Sequence, residues 1–302
     1  MPPEGWPDRL VLHLGAHKTA STHFQRGLRR GRGRLERADA RLYTPPDLRK
    51  GADLADWFGV SFQTGLRRAT WTPELLARMA GGAGRLVVSE ENLLGQMTGA
   101  SDCGEPSLYP QAGLRLSAVS AGTDPLPISL FIAIRDPASY LVSAYGQSLF
   151  GGYGQDFGTF VARCPLEGVD WCDLAERLLA VPRVSELVVW RQEDYPAVAP
   201  AAANALAGAD VARQGWFDHA PMHRGLSARA VAEALKAPRG PERIRAAGAA
   251  RRQFPVTEEE PAFRPFDAEA LAVSREFYDE QWATLAEMAG VRRLLPPVSG
   301  GG

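Results

Sequence analysis

The chain has 302 residues, 45% of them hydrophobic, with a formal net charge of −1 at pH 7. That is enough apolar material for a full core in one domain with insertions, and the charge balance is not that of a nucleic-acid binder. No apolar run is long enough to span a bilayer, the start MPPEGWPDRL lacks the basic and apolar segments of a secretory signal, and Cys103, Cys164 and Cys172 show no pairing or metal spacing, so a cytoplasmic protein with reduced thiols is expected.

Residues 10–14, LVLHL, form an apolar run that predicts a buried strand, with His13 a core histidine. Gly15 marks a tight turn, and Ala20, Phe24 and Leu28 recur every four residues as on one face of a helix. Between them lie Ala16, His17, Lys18, Thr19, Ser21 and Thr22. A helix N-terminus presents unpaired N–H groups and the positive end of its dipole. With a lysine and three hydroxyls beside it, the stretch is suited to a phosphate. It is not the common P-loop, GxxxxGK[ST], because His17 stands where the glycine before the lysine belongs.

Arg26, Arg29, Arg30, Arg32, Arg34 and Arg37 crowd the end of this helix. They read either as cations favoured at a helix C-terminus or as a positive rim for an anionic acceptor. Residues 43–50 are a turn, and 53–78 carry apolar residues at mixed spacing, giving one or two helices with exposed loops. After the glycine-rich break at 81–84, residues 85–89 (RLVVS) predict a second buried strand, closed by Glu90, Glu91 and Asn92. The carboxyl edge of a parallel sheet is where open α/β folds hold their ligands. Insertions are expected at 43–80 and at 95–127, the latter as a lid or acceptor loop.

A third buried strand covers 128–134 and ends in Arg135, Asp136 and Pro137. The helix after it, 138–150, has Ala138, Leu141, Val142, Tyr145 and Leu149 on its apolar face and Ser139, Ser143 and Gln147 as a polar stripe. A fourth strand at 187–190 ends in Arg191, Gln192, Glu193 and Asp194. Strands alternating with helices predict an α/β fold, a central parallel sheet flanked by helices. The C-terminal part is helical: 197–206, then a loop with Trp216, Phe217, His219 and His223, a helix capped by Ser227, and a long amphipathic helix at 267–289. Leu271, Tyr278, Trp282 and Leu285 define the apolar face of that last helix, and a disordered tail is expected at 296–302.

Two of these strand-to-helix junctions carry motifs. GAHKTAST, residues 15–22, resembles the 5′-phosphosulfate loop of sulfotransferases that use 3′-phosphoadenosine 5′-phosphosulfate (PAPS), written PKTGTT or HKTGTT, with Ala20 replacing a glycine and Ser21 a threonine. RDPASYLVSAY resembles the family's 3′-phosphate motif, RxPxxxxxSxY, at Arg135, Pro137, Ser143 and Tyr145. VVSEENLL is similar to the family's SSEN segment and LVVWRQEDYP to its VRYEDL strand end. The resemblance covers residues 9–30, 84–95, 128–150 and 186–196.

This resemblance implies a P-loop NTPase-like sulfotransferase fold over a single domain, 1–302, and metal-free transfer of a sulfuryl group from PAPS to a hydroxyl or amine. The acceptor would be a glycan, a lipid or a small molecule. Lys18 would steady charge on the leaving 5′-phosphate oxygen, and the N–H groups of 18–22 with Thr19, Ser21 and Thr22 would hold that phosphate. Arg135 and Ser143 would take the 3′-phosphate. The general base would be Glu91, with Glu90 and His17 as the other candidates. His219 and His223 belong to an acceptor loop or are simply exposed. Trp57, Phe58, Phe62 and Trp71 suit sugar rings, lipids, aromatic small molecules or core packing alike. Two other functions fit the loop: an ATP-dependent P-loop kinase, whose nearest Mg²⁺-binding carboxylate would be Asp136, and a non-catalytic nucleotide-binding module.

Overall fold

Six segments join in one sheet: β1 (Arg9–His13), β2 (Ala40–Tyr43), β3 (Arg85–Ser89), β4 (Ile128–Ile134), β5 (Val184–Arg191) and β6 (Val291–Arg293). The computed structural model describes residues 4–48, 60–61, 65–66, 73–100, 104–153, 155–218 and 225–297. Every neighbouring pair is parallel, in the order β6-β5-β4-β1-β3-β2. Parallel strands need crossovers, and the crossover helices cover both faces, so all seven residues of β4 are buried.

The period of two in the strands sorts the core into two layers. Leu10, Leu12, Leu86, Val88, Leu130 and Ile132 face one side. There they meet α2 (Ala112–Gly122), α4 (Trp171–Leu179) and α8 (Ala268–Glu287) through Leu116, Leu174 and Leu285. Val11, Val87, Phe131 and Ala133 face the other, where Phe24 and Leu28 of α1 (Ser21–Arg30) and Val198 and Leu206 of α5 (Tyr195–Ala207) cover them. A third cluster seats α6 (Ala228–Lys236) and α7 (Pro241–Gln253) on Tyr145 and Leu149 of α3 (Pro137–Phe150). Ser227 caps α6, accepting from the Ala230 N–H at 3.1 Å.

Several elements differ from the sequence reading. Within 95–127 the chain forms a small antiparallel pair, Thr98–Ala100 with Pro106–Leu108, and the regular helix α2. The apolar periodicity of α2 is masked because Arg115 and Ser120 sit on its buried side. Arg115 donates to the Leu93 and Asn92 carbonyls, both at 3.2 Å, and Ser120 to Pro182 O at 2.5 Å. The buried stripe of α8 is Ser274, Tyr278, Gln281 and Leu285, while Leu271 is 40% exposed. Its polar members are matched: Ser274 Oγ donates to Asp136 Oδ2, and Gln281 Oε1 accepts from the Trp171 N–H. The edge strands β2 and β6 were too short to stand out in the sequence. Of 43–80, the helices Pro45–Leu48 and Pro73–Ala80 and the short pair Val60–Ser61 with Gly65–Leu66 are seen. Trp57, Phe58, Phe62, Trp71, Cys103, His219, His223 and the tail from 298 lie outside the described residues.

Gly27, in the middle of α1, is a close-approach position: a Cβ there would run into the Phe217 ring and come within 3.0 Å of the Trp216 carbonyl. Gly27→Ala should therefore lower the melting temperature. The helix-propensity gain is about 1 kcal/mol, and overpacking costs typically about 1–3 kcal/mol. A calorimetric scan showing stabilisation would mean that the Trp216–Phe217 contact is readily displaced.

Candidate active site

From β1 the chain runs to one side of the sheet through β2 and β3, then to the other through β4, β5 and β6. The carboxyl ends of β1 and β4 therefore flank a crevice at the point where the strand order reverses. Leu14 and Gly15 both donate their N–H to Phe131 O, at 2.8 and 3.2 Å, so the loop leaves β1 still bound to β4. Gly15 has φ +42°, and a Cβ there would press on the His13 imidazole and the Ser21 hydroxyl. Lys18 and Ala20 adopt the left-handed conformation, with φ 69° and 66°, folding the loop over the start of α1.

The buried hydroxyls of Thr19 and Ser21 knit this loop together. Thr19 Oγ1 lies 2.9 Å from Gly15 O and 2.7 Å from Ala16 O, and Ser21 Oγ donates to the same carbonyls. They support the loop from within, whereas the expectation was that both would grip a phosphate. Thr22 stands at the cleft wall with Lys18, Ala20 and Ser21. No side chain caps α1; the His23 N–H turns back to Ala20 O at 2.9 Å, which leaves the N–H groups of Ser21 and Thr22 at the helix start without a side-chain cap.

Arg135 follows β4 and reaches back across the crevice, Nη1 donating to Lys18 O at 2.9 Å. Its Nε is buried and has no partner among the described residues. Burial lowers the pKa of the Lys18 ammonium, and the nearby positive charges of Arg135 and Arg251 lower it further. Burial likewise works against the charged Arg135 guanidinium, with Glu193 and Asp136 opposing. Among the described residues the Lys18 ammonium has no ion pair. Two partly buried cations side by side form a site that an anion would stabilise. Ser143 and Gln147, one turn apart on α3, line the same cleft. Tyr145 does not: its ring packs on Phe157, Phe160 and Phe263, and its hydroxyl donates to Gln155 O at 2.9 Å.

Asp136 is fully engaged as the cap of α3, Oδ1 accepting from Ser139 N and Oδ2 from Ser274 Oγ, both at 2.9 Å. Glu193, in the turn after β5, accepts from Asp136 N at 3.1 Å and Tyr278 Oη at 2.9 Å and lines the cleft. It escaped selection as a site residue, although its place just past a strand end is the signal that marks Glu91 and Arg135.

The three base candidates have different surroundings. Glu90 is fully buried, accepting from Asn92 N at 3.2 Å and Asn92 Nδ2 at 2.8 Å. Glu91 faces the cleft and is oriented by Gln25, whose Nε2 donates to Oε2 at 2.9 Å. His17 is clamped from both ends. Tyr109 Oη accepts from the His17 N–H at 2.7 Å and from Tyr140 Oη at 3.1 Å. Its own proton is thus directed to His17 Nδ1, 3.1 Å away, which leaves Nε2–H to donate to Asn92 Oδ1 at 3.1 Å. Burial pushes the Tyr109 phenol up, so it stays protonated.

The cleft has a volume of about 2160 Å³. It also takes in Arg163, Arg213 and Arg239, which single-sequence motifs did not mark because they come from distant segments. None of the six arginines between residues 26 and 37 lines it. Arg32 instead pairs with Asp47 at 2.6 Å, and Arg30 donates to Gly215 O. No helix of the described residues is long and apolar enough to cross a membrane.

No family model and no curated protein matches this chain. Among solved structures it is similar to a sulfotransferase from Alicyclobacillus acidocaldarius, at 14% identity and a TM-score of 0.42 over 81% of this chain and 93% of that one.

Beneath the loop, His13 Nδ1 lies 2.6 Å from Ser89 Oγ, and its ring stacks on Trp190 at 5.9 Å. Burial holds its pKa down from 6.5 to about 3. Below 6.5 the unfolded chain binds the extra proton, so this contribution is complete above that pH and is lost as pH falls toward 3. From pH 7 to 5 the group should cost about 2 kcal/mol of stability. Urea unfolding should show that loss in the native chain and a smaller one in His13→Asn; parallel pH profiles would rule out His13 as the source.

Proposed function

We propose that the protein transfers a sulfuryl group from PAPS to an acceptor hydroxyl or amine. The observation that supports this most is the pairing of Lys18 and Arg135, from the ends of adjacent strands, through the Arg135 Nη1 to Lys18 O hydrogen bond beside the uncapped start of α1. Such a site offers N–H groups and a mobile cation to one phosphate, and a fixed guanidinium to a second. The 5′-phosphate would rest on the N–H groups of residues 18–22 and on Lys18, and the 3′-phosphate on Arg135 and Ser143.

In the transfer, the acceptor oxygen or nitrogen forms a bond to sulfur as the bond from sulfur to the 5′-phosphate oxygen breaks. The electron pair leaves on that phosphate oxygen, where Lys18 steadies the charge. The acceptor proton passes to Glu91, held in the cleft by Gln25. The transferred group carries less charge than a γ-phosphate, so the reading calls for no metal. Glu90 and His17, both hydrogen-bonded to Asn92, position the loop.

The desulfated nucleotide should raise the melting temperature by mass action on the folded state, and ATP with Mg²⁺ far less. Equal stabilisation by both would favour the kinase reading. Arg135→Ala removes a charge-assisted contact worth roughly 1.5–3 kcal/mol, so affinity for the desulfated nucleotide should fall about 10- to 100-fold. Affinity for an analogue lacking the 3′-phosphate should barely change, and an equal loss for both would make Arg135 structural.

Glu91→Gln keeps the shape and should slow transfer about 100-fold with nucleotide affinity preserved. Normal turnover in single-turnover kinetics would remove Glu91 as the base.

A further inference from the structure

The wall of the cleft carries information about the acceptor that the two phosphate anchors do not. Six glutamines line it: Gln96, Gln111, Gln147, Gln155, Gln192 and Gln214. The larger apolar side chains there are Met97, Phe160 and Phe217, with no leucine, isoleucine or valine among the described residues. An amide offers two N–H donors and an acceptor oxygen, which complements a hydroxyl that both donates and accepts. An apolar ligand against the same wall would strip water from these amides without replacing its hydrogen bonds, an unfavourable exchange.

Size and charge point the same way. Ordinary small-molecule pockets are about 300–1,000 Å³, and this cleft, at about 2160 Å³, leaves room for an extended molecule beside a nucleotide. Beyond Lys18 and Arg135, which the nucleotide would occupy, the lining holds Arg115, Arg163, Arg213 and Arg239 against Glu91, Glu193 and Asp218, so its charges nearly balance and favour neither a strongly anionic nor a cationic acceptor. At the rim, Tyr153 is 77% exposed, the most open of the large hydrophobic residues among those described. A phenol ring so placed offers a flat apolar face with a polar end, the shape that receives the C–H face of a sugar ring.

We infer that the acceptor is a neutral, hydroxyl-rich chain, an oligosaccharide, bound along the glutamine-lined wall with one ring against Tyr153. This rests on the sulfuryl-transfer reading, but binding of the chain can be measured without turnover. Saturation-transfer difference NMR on the protein alone and loaded with desulfated nucleotide would compare maltotetraose, cellotetraose and chitotetraose with 2-naphthol. At least one tetrasaccharide should bind with a dissociation constant below about 1 mM, more tightly than its monosaccharide, and 2-naphthol should not compete. Tyr153→Ala and Gln96→Leu should each weaken it about fivefold or more, with nucleotide stabilisation unchanged. Binding of 2-naphthol alone, binding of neither class, or variants that bind the tetrasaccharide normally would overturn the inference. Loss of the nucleotide effect with tetrasaccharide binding intact would instead overturn the donor assignment and leave the inference standing.

Discussion

The structure depends on the parallel pairing of β1 with β4. Leu14 and Gly15 remain hydrogen-bonded to Phe131 after β1 has ended, which fixes where the loop begins. Because the two strands run the same way and stand side by side, the segments that follow them emerge at one edge. Arg135 can then reach the Lys18 carbonyl although 117 residues separate them in the chain. Neither cation would be positioned if the strands were antiparallel or separated by another strand.

Around this pairing the charged and neutral groups divide the work. The inner side of the loop is held by hydrogen bonds: the Thr19 and Ser21 hydroxyls on the loop carbonyls, and the run from Glu90 through Asn92, His17 and Tyr109 to Tyr140. Such a network fixes the loop's position. The cations stand at the cleft, where burial already works against their charge. Ala20 shows how firmly the loop is held: it keeps φ 66° where the resembling loops have glycine. That conformation costs a non-glycine residue about 1–2 kcal/mol, which the surrounding hydrogen bonds must offset.

The same cleft is asymmetric in a way that bears on its ligands. The loop and Arg135 gather two cations at one place, while the walls mix amides and hydroxyls with Arg163, Arg213 and Arg239 and with the apolar Met97, Phe160 and Phe217. Orientation would come from the charged end and adaptability from the amides.

Local pattern was enough for much of this. The apolar runs of β1, β3, β4 and β5, the Pro137 start of α3 and the Ser227 cap are all legible, because strand periodicity and capping are set by residues within a turn or two of one another. Lys18, Glu91, Arg135 and Ser143 stood out for the same local reason and do line one cleft. Tertiary structure decided what local pattern cannot carry. It buried polar residues on α2 and α8 and so hid their amphipathic period. It turned the Thr19 and Ser21 hydroxyls inward, Glu90 into the core and Glu91 into the cleft. It brought Glu193, Arg163 and Arg239 to the cleft and left the arginines after α1 out of it. Each of these outcomes depends on a partner far away in sequence, and a chain read residue by residue holds no distance between such partners.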